Sequence, residues 1–401
     1  MCVVKIEKLN HQAEGIAKLD DKVIFVPNSY IGETVEINID KEHKNYLEGH
    51  VCKYIDKSVD RLDYKCPYYN ECGGCNILHL NYKKQLEFKK NKVIDIFKKY
   101  VDMEINPDIC GSDNILNYRN KVTFHVKDGQ VGFYKEGSHN LIKIDECLLI
   151  TDKMNNILKY IKKNVNLSKV DKIMLRDTGI HTMVVFYGKK DELKIDKSLM
   201  DMVDSIYLND KLIYGIDKCE VKLSNYRFVV SPEAFFQVNV NVMKKLYDKI
   251  KEYIGGDMVK YGLDLYCGTG TISIYVSDLC EKMLGIEINK SAIDDANYNK
   301  KINNKNNIEY MVGDVSNLIN DKMNPDLIIV DPPRKGLDKK TIEVLKKIKC
   351  KNIIYVSCDP MTLARDINLL NKDYKLIDIT LFDMFPETYH VESVVKLIHN
   401  N

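Results

Sequence analysis

Gly262-Leu-Asp-Leu-Tyr-Cys-Gly-Thr-Gly-Thr-Ile-Ser-Ile-Tyr-Val-Ser277 decides the fold of this chain. The apolar run Gly262–Tyr266 has the length and character of a buried strand, and Thr271–Ser277 reads as a helical run. Between them, Cys267-Gly-Thr-Gly270 lets the backbone approach a ligand at a helix N-terminus. A strand, glycine loop and helix in that order predict a parallel α/β sheet with a nucleoside-type site at its carboxyl edge.

Working outward, the strand, loop and helix pattern repeats. Met283–Ile288, Glu309–Val312, Leu327–Val330 and Ile353–Val356 are expected strands, with helices over Ser291–Ile302 and Lys339–Ile348. Tyr374–Phe385 and His390–His399 follow without a helix and predict a closing antiparallel hairpin. Glu287 ends the second strand, 17 residues after Gly270, where a carboxylate accepts hydrogen bonds from ribose hydroxyls. Asp314 ends the third strand, at the place to meet an adenine amino group. The third glycine of a dinucleotide fingerprint is missing, which favours S-adenosylmethionine over NAD.

The loop Asp331-Pro-Pro-Arg-Lys-Gly-Leu337 follows the fourth strand, with Asp331 at the strand's carboxyl end. Methyltransferases acting on exocyclic amines place an aromatic residue after such prolines; Arg334 here argues against an amine acceptor and suits phosphate. Cys358, in Tyr355-Val-Ser-Cys358-Asp-Pro360, closes the fifth strand and is the candidate nucleophile. The plainer reading is that it is one buried cysteine among 12. Phe385-Pro-Glu-Thr-Tyr-His390-Val-Glu392 brings a candidate base, with His390 as its rival.

Upstream, Val3–Ile6, Lys22–Val26, Thr34–Ile39 and Leu47–Tyr54 predict a small β-barrel of the oligonucleotide-binding kind over 1–57. A central, mostly antiparallel domain is expected over 58–225 and the α/β domain over 226–401. Cys66-x5-Cys72-x2-Cys75 brings three thiols within reach of one metal centre, zinc or iron–sulfur by spacing alone.

Composition sets the outer limits. Hydrophobic residues make up 45% and charged residues 29%, as in a globular protein, and no apolar stretch is long enough to span a bilayer. The N-terminus lacks the apolar segment of a signal peptide, so a cytoplasmic protein with reduced cysteines is expected. A monomer is expected as well. The net charge of +2 hides an asymmetry. Residues 1–40 hold 4 Lys and Arg against 7 Asp and Glu, and residues 41–100 hold 13 against 8, with tyrosines interleaved. That pattern suits phosphate contacts and base stacking, and equally a solvated lysine-rich surface.

Taken in order, Cys66-Pro-x4-Cys72-Gly-Gly-Cys75, Phe235-Phe-Gln237-Val-Asn239, Asp264-x2-Cys267-Gly-x-Gly270, Asp331-Pro-Pro-Arg-x-Gly336, Tyr355-x-Ser-Cys358 and Asp383-x-Phe-Pro-x-Thr-x-His390-Val-Glu392 resemble the RNA uracil-C5 methyltransferase family. The nearest branch carries an N-terminal TRAM barrel and an iron–sulfur cluster and modifies 23S ribosomal RNA. The resemblance implies a class I S-adenosylmethionine methyltransferase (Rossmann-like) domain at the C-terminus. It makes Cys358 the nucleophile and Glu392 the base. Gln237, Tyr266, Glu287, Asp314 and Asp331 become the S-adenosylmethionine contacts. Cys147 joins Cys66, Cys72 and Cys75 around a [4Fe–4S] cluster, and RNA becomes the partner. Transfer RNA uridine and cytosine C5 are the rival targets, and an inactive RNA-binding or ribosome-assembly protein is the rival class. Two residues depart from the family pattern: Asp359 stands where Asn is usual and threatens to raise the thiol pKa, and Thr271 stands where some members carry Asn.

Overall fold

The computed structural model describes residues 1–400 apart from 65, 136 and 190–192. The chain divides into two compact units that do not follow its order. The first comprises 1–92, 133–144 and 385–390; the second comprises 93–132, 145–384 and 391–401.

The first unit is built on a six-stranded sheet in the order Cys2–Lys5, Thr34–Glu42, Tyr46–Asp56, Lys22–Val26, Gly15–Leu19 and Lys8–Leu9. Alternation in Thr34–Glu42 turns Val35 and Ile37 inward onto Val4, Ile24 and Leu47, so a core forms from short strands. Three register shifts between Thr34–Glu42 and Tyr46–Asp56 increase the local twist and coil the sheet. Gly15 opens a strand absent from the expected set, because a Cβ there would collide with the Ser29 hydroxyl. Buried Glu33 accepts from Arg61 Nε at 2.5 Å and Nη2 at 2.6 Å, joining the sheet to the segment that follows it. The segment 385–390 completes this unit. Glu387 O accepts from Asn76 N at 2.9 Å, and its carboxylate from Gln85 Nε2 at 2.9 Å.

In the second unit, Lys121–Lys127, Val170–Asp177, Thr182–Gly188, Ser205–Leu208 and Lys211–Gly215 are successive neighbours in one sheet. The pairs are antiparallel except Thr182–Gly188 with Ser205–Leu208. The larger sheet has eight strands in the order Ile308–Val312, Cys280–Glu287, Val259–Leu265, Leu327–Val330, Asn352–Ser357, Glu392–His399, Tyr374–Phe382 and Asp108–Cys110. The first five are mutually parallel, and the expected hairpin closes the sheet antiparallel. Leu327–Val330, at the centre of the five, is apolar and buried at every position, as in sheets that helices cover on both faces, whereas Cys280–Glu287 carries exposed Glu281 and Lys282 and Val259–Leu265 carries Asp264. The hairpin strands are shorter than expected: the first ends at Phe382 and the second begins at Glu392. The edge strand Asp108–Cys110 was not foreseen; three residues carry too little pattern to announce a strand. Among the described residues, no helix is long and apolar enough to cross a membrane.

Candidate active site

The strand order reverses at Val259–Leu265, which has Cys280–Glu287 on one side and Leu327–Val330 on the other. Such a switch point opens a crevice at the carboxyl ends of the strands. The turn after Leu265 is tightly wound, with φ of +65° at Tyr266, +54° at Gly268 and +75° at Gly270. A side chain at Gly270 would run into the Tyr310 hydroxyl, whereas at Gly268 it would meet open space. A tyrosine held in the left-handed region is unusual and marks a strained position at this turn.

Glu287 fixes the turn: its Oε2 accepts from Gly268 N at 3.2 Å and its Oε1 from Asn289 N at 2.8 Å. Asp264 lies beneath, fully buried, with Oδ2 accepting from Ser273 N at 3.0 Å and Ser273 Oγ at 2.6 Å. Its Oδ1 has no partner among the described residues. Burial pushes its carboxyl up to about 7. The sequence carried this residue inside the glycine motif without giving it a role; an acid between two buried leucines is the signal that was there to read.

Asp314 is exposed and caps the short helix Val315–Leu318, its Oδ1 accepting from Ser316 N at 2.8 Å. Asp331 closes Leu327–Val330, donates its backbone N–H to Leu265 O at 3.2 Å, and is raised to about 7 by burial and then by Asp264. Gln237 is buried on a segment held by Asn120, whose Nδ2 donates to Gln237 O at 2.9 Å and whose backbone N–H donates to Val238 O at 3.0 Å. Thr271, one of the two departures, is engaged elsewhere, 2.7 Å from the Tyr247 hydroxyl.

Cys358 follows Ser357, which pairs antiparallel with Ser393. Cys358 directly follows that last paired residue and Glu392 directly precedes Ser393, so the two lie next to the same end of the ladder, and the Glu392 charge acts on the thiol. Burial is the main reason the Cys358 thiol is pushed up to about 12; Glu392 and Asp331 add to this and Arg334 opposes it. Glu392 is buried and raised to about 8 by burial and then Asp331, again opposed by Arg334. Asp359 is the weakest of the charges acting on Cys358. Its Oδ1 caps the helix Pro360–Leu370, accepting from Met361 N at 2.9 Å and Thr362 N at 3.0 Å. The helix N-terminus therefore absorbs much of the charge that threatened the thiol. His390 belongs to the first unit, its ring 4.3 Å from that of Tyr389.

Of the expected cluster ligands, Cys66, Cys72 and Cys75 are half-buried in one loop of the first unit, whereas Cys147 lies in the second. Among the described residues, no group of three or more His, Cys, Asp or Glu side chains is gathered to hold a metal ion.

The strand order, the wound glycine turn and the acids along the carboxyl edge define a class I S-adenosylmethionine methyltransferase. The family model described as tRNA (uracil-5-)-methyltransferase matches residues 190–320 and 314–400, and that of the TRAM domain matches 3–52. An uncharacterized RNA methyltransferase of Clostridium tetani is 36% identical, over 98% of this chain and 95% of its own length. One of Staphylococcus aureus is 34% identical over 96% and 95%. The crystal structure of a Pyrococcus abyssi tRNA (uracil-54, C5)-methyltransferase with S-adenosyl-L-homocysteine superposes with a TM-score of 0.81 at 28% identity, covering 99% of this chain and all of that one. The chain belongs to the RNA uracil-C5 methyltransferase family, with a TRAM domain at its N-terminus.

Proposed function

We propose that this protein methylates C5 of a uridine in 23S ribosomal RNA, with Cys358 as nucleophile and Glu392 as base. The observation that carries the reading is the Ser357–Ser393 pair, which brings the adjoining Cys358 and Glu392 to the same end of the ladder, where the Glu392 charge acts on the thiol. Gln237, Tyr266, Glu287, Asp314 and Asp331 are the proposed cofactor contacts. The open space at Gly268 and the unpartnered Asp264 Oδ1 fit a polar ligand beside the turn. S-adenosylmethionine, when bound, supplies an electrophilic methyl group.

Uracil C5 is a weak nucleophile until the ring is activated. The Cys358 thiolate adds to C6, and the C5=C6 electron pair moves to give an enolate reactive at C5. C5 then takes the methyl group. Glu392 accepts the C5 proton, the double bond re-forms, and the S–C6 bond breaks to return the thiolate. With its pKa near 12, Cys358 is a thiol at neutral pH and must lose its proton as RNA binds; Arg334 is the cation that favours this. The target base must leave its stack, at roughly a few kcal/mol, to reach the thiol.

A second reading, a uridine of transfer RNA, is favoured by the whole-chain likeness to the Pyrococcus enzyme. Mapping 5-methyluridine in ribosomal and transfer RNA from cells with and without the protein separates the two. Loss in neither RNA sinks both and leaves a non-catalytic RNA-binding role. We further propose a cytoplasmic monomer. We also propose a [4Fe–4S] cluster, on the donor chemistry of the soft thiolates of Cys66, Cys72 and Cys75. No catalytic step runs through it. Anaerobically purified protein should contain iron and sulfide, and stoichiometric zinc without iron would overturn the assignment.

A further inference from the structure

The loop that carries Asp331 and Arg334 is held by the helix that begins beside Cys358. Along Pro360–Leu370, Thr362 Oγ1 donates to Arg334 O at 3.0 Å. Arg365 Nη2 donates to Lys335 O at 2.8 Å and Leu337 O at 3.1 Å. Asp366, fully buried, accepts from Leu337 N at 2.7 Å and from the Tyr355 hydroxyl at 2.7 Å, both on Oδ2. Its other oxygen accepts from Arg365 Nε at 2.8 Å. Four backbone groups between Arg334 and Leu337 are thereby fixed by one helix, itself anchored to the strand ending at Ser357 through Tyr355. Gly336, at φ +71°, completes the fit: a Cβ there would come within 2.5 Å of Asp366 Oδ2 and 2.6 Å of Arg365 Nη2.

We infer that Arg365 and Asp366 are positioning residues that index the Asp331–Leu337 loop to the Cys358 helix, setting where the Arg334 charge stands relative to the thiol. The inference rests on the reading of Cys358 as nucleophile. Neither residue touches the reacting atoms. Their work is geometric: hydrogen bonds to backbone groups fix a loop more tightly than proline stiffness alone, and charge-assisted ones such as those of Arg365 are the strong kind. A cation's influence on a thiol falls with distance, so a loose loop blunts it.

The test reads the thiol directly. Iodoacetate alkylation of Cys358, followed on its own peptide by mass spectrometry across pH, reports the fraction of thiolate. The groups acting on it are Glu392, Asp331, Arg334 and Asp359. Arg334→Ala should move the profile to higher pH. Arg365→Ala should move it the same way by at least 0.5 pH unit, roughly a threefold loss of thiolate on the rising limb. The double variant should move it no further than Arg334→Ala alone. Arg365 is half-exposed but its partner Asp366 is fully buried, so Arg365→Lys, which keeps a cation beside that carboxylate, is the control for folding and should restore part of the shift. Gly336→Ala should reproduce the shift by prising the contacts apart. Profiles of Arg365→Ala and Gly336→Ala that superpose on the parent while Arg334→Ala moves would overturn the inference; so would additive shifts. Methyl transfer to RNA by the parent protein is measured alongside. Its absence would sink the enzymatic reading, while the thiol profile still decides the positioning role.

Discussion

Glu392 is a buried carboxyl that must be ionised to accept a proton, and two expectations follow from that conflict. Replacing it by Gln should leave thiol addition and methyl transfer possible but block the elimination that frees RNA. Turnover should fall roughly 10²–10⁴-fold, the usual share of a general base, while a methylated covalent RNA complex accumulates on a denaturing gel. His390→Ala should lose less and trap nothing. Near-normal turnover of Glu392→Gln without a trapped band would remove Glu392 from the mechanism. The second expectation concerns stability. Below its ordinary value of 4.5, Glu392 is protonated in both folded and unfolded chains. As pH rises from there to about 8, the unfolded chain releases the proton and the folded one keeps it, so stability falls across that window. Asp264 and Asp331 act in the same direction between 3.8 and about 7. The melting temperature should therefore decline from pH 5 to pH 8, and less steeply in Glu392→Gln. An equal slope in parent and variant would show that burial does not hold the proton on Glu392.

Single elements explain what the sequence disclosed and what it withheld. The five parallel strands were legible because each carries a short, mainly apolar run; Glu287, Asp331 and Cys358 stand at or just past the ends of three of them. Gly15–Leu19 was missed because its only signal is a glycine whose reason is a contact with Ser29, a tertiary fact. Asp359 does raise the thiol, as expected, but least of the charges acting on it: adjacency to Cys358 is visible in the sequence, whereas the cap that turns its oxygen onto Met361 and Thr362 is not. Asp359→Ala should cost about 1 kcal/mol through loss of the cap, and Asp359→Asn, which still caps, a few tenths at most. Urea unfolding of the two variants checks this, and equal losses would deny the cap its weight.

At the scale of the whole molecule, binding to RNA should weaken as salt rises, with a log–log slope of roughly −0.7 per phosphate contact on single strands. The six-stranded sheet of the first unit and its flanking residues present exposed Lys41, Lys44, Lys53 and Lys57 for such contacts. Removing residues 1–57 would be a poor test, since it deletes Glu33 and leaves Arg61 without its carboxylate. Charge reversal at those four lysines is cleaner. Filter binding should show weaker RNA affinity with a shallower salt slope, and S-adenosylmethionine affinity within twofold of the parent. Unchanged RNA affinity would take the gripping role away from this sheet.

The partition of the chain also dictates the order in which it can be assembled. A ribosome delivers residues from the N-terminus, yet the first unit waits for 385–390, whose Glu387 satisfies Asn76 and Gln85. The edge strand Asp108–Cys110 likewise waits for Thr380–Phe382 before it has a neighbour. Such distant pairings pay their loop-closure entropy late and slow folding. Gln85 therefore emerges 302 residues ahead of the Glu387 carboxylate that it binds. A nascent chain arrested after Met384 should be far more protease-sensitive within residues 58–92 than one arrested after Asn401 with a linker to clear the exit tunnel. Equal protection of the two would show that the N-terminal region matures without its C-terminal piece.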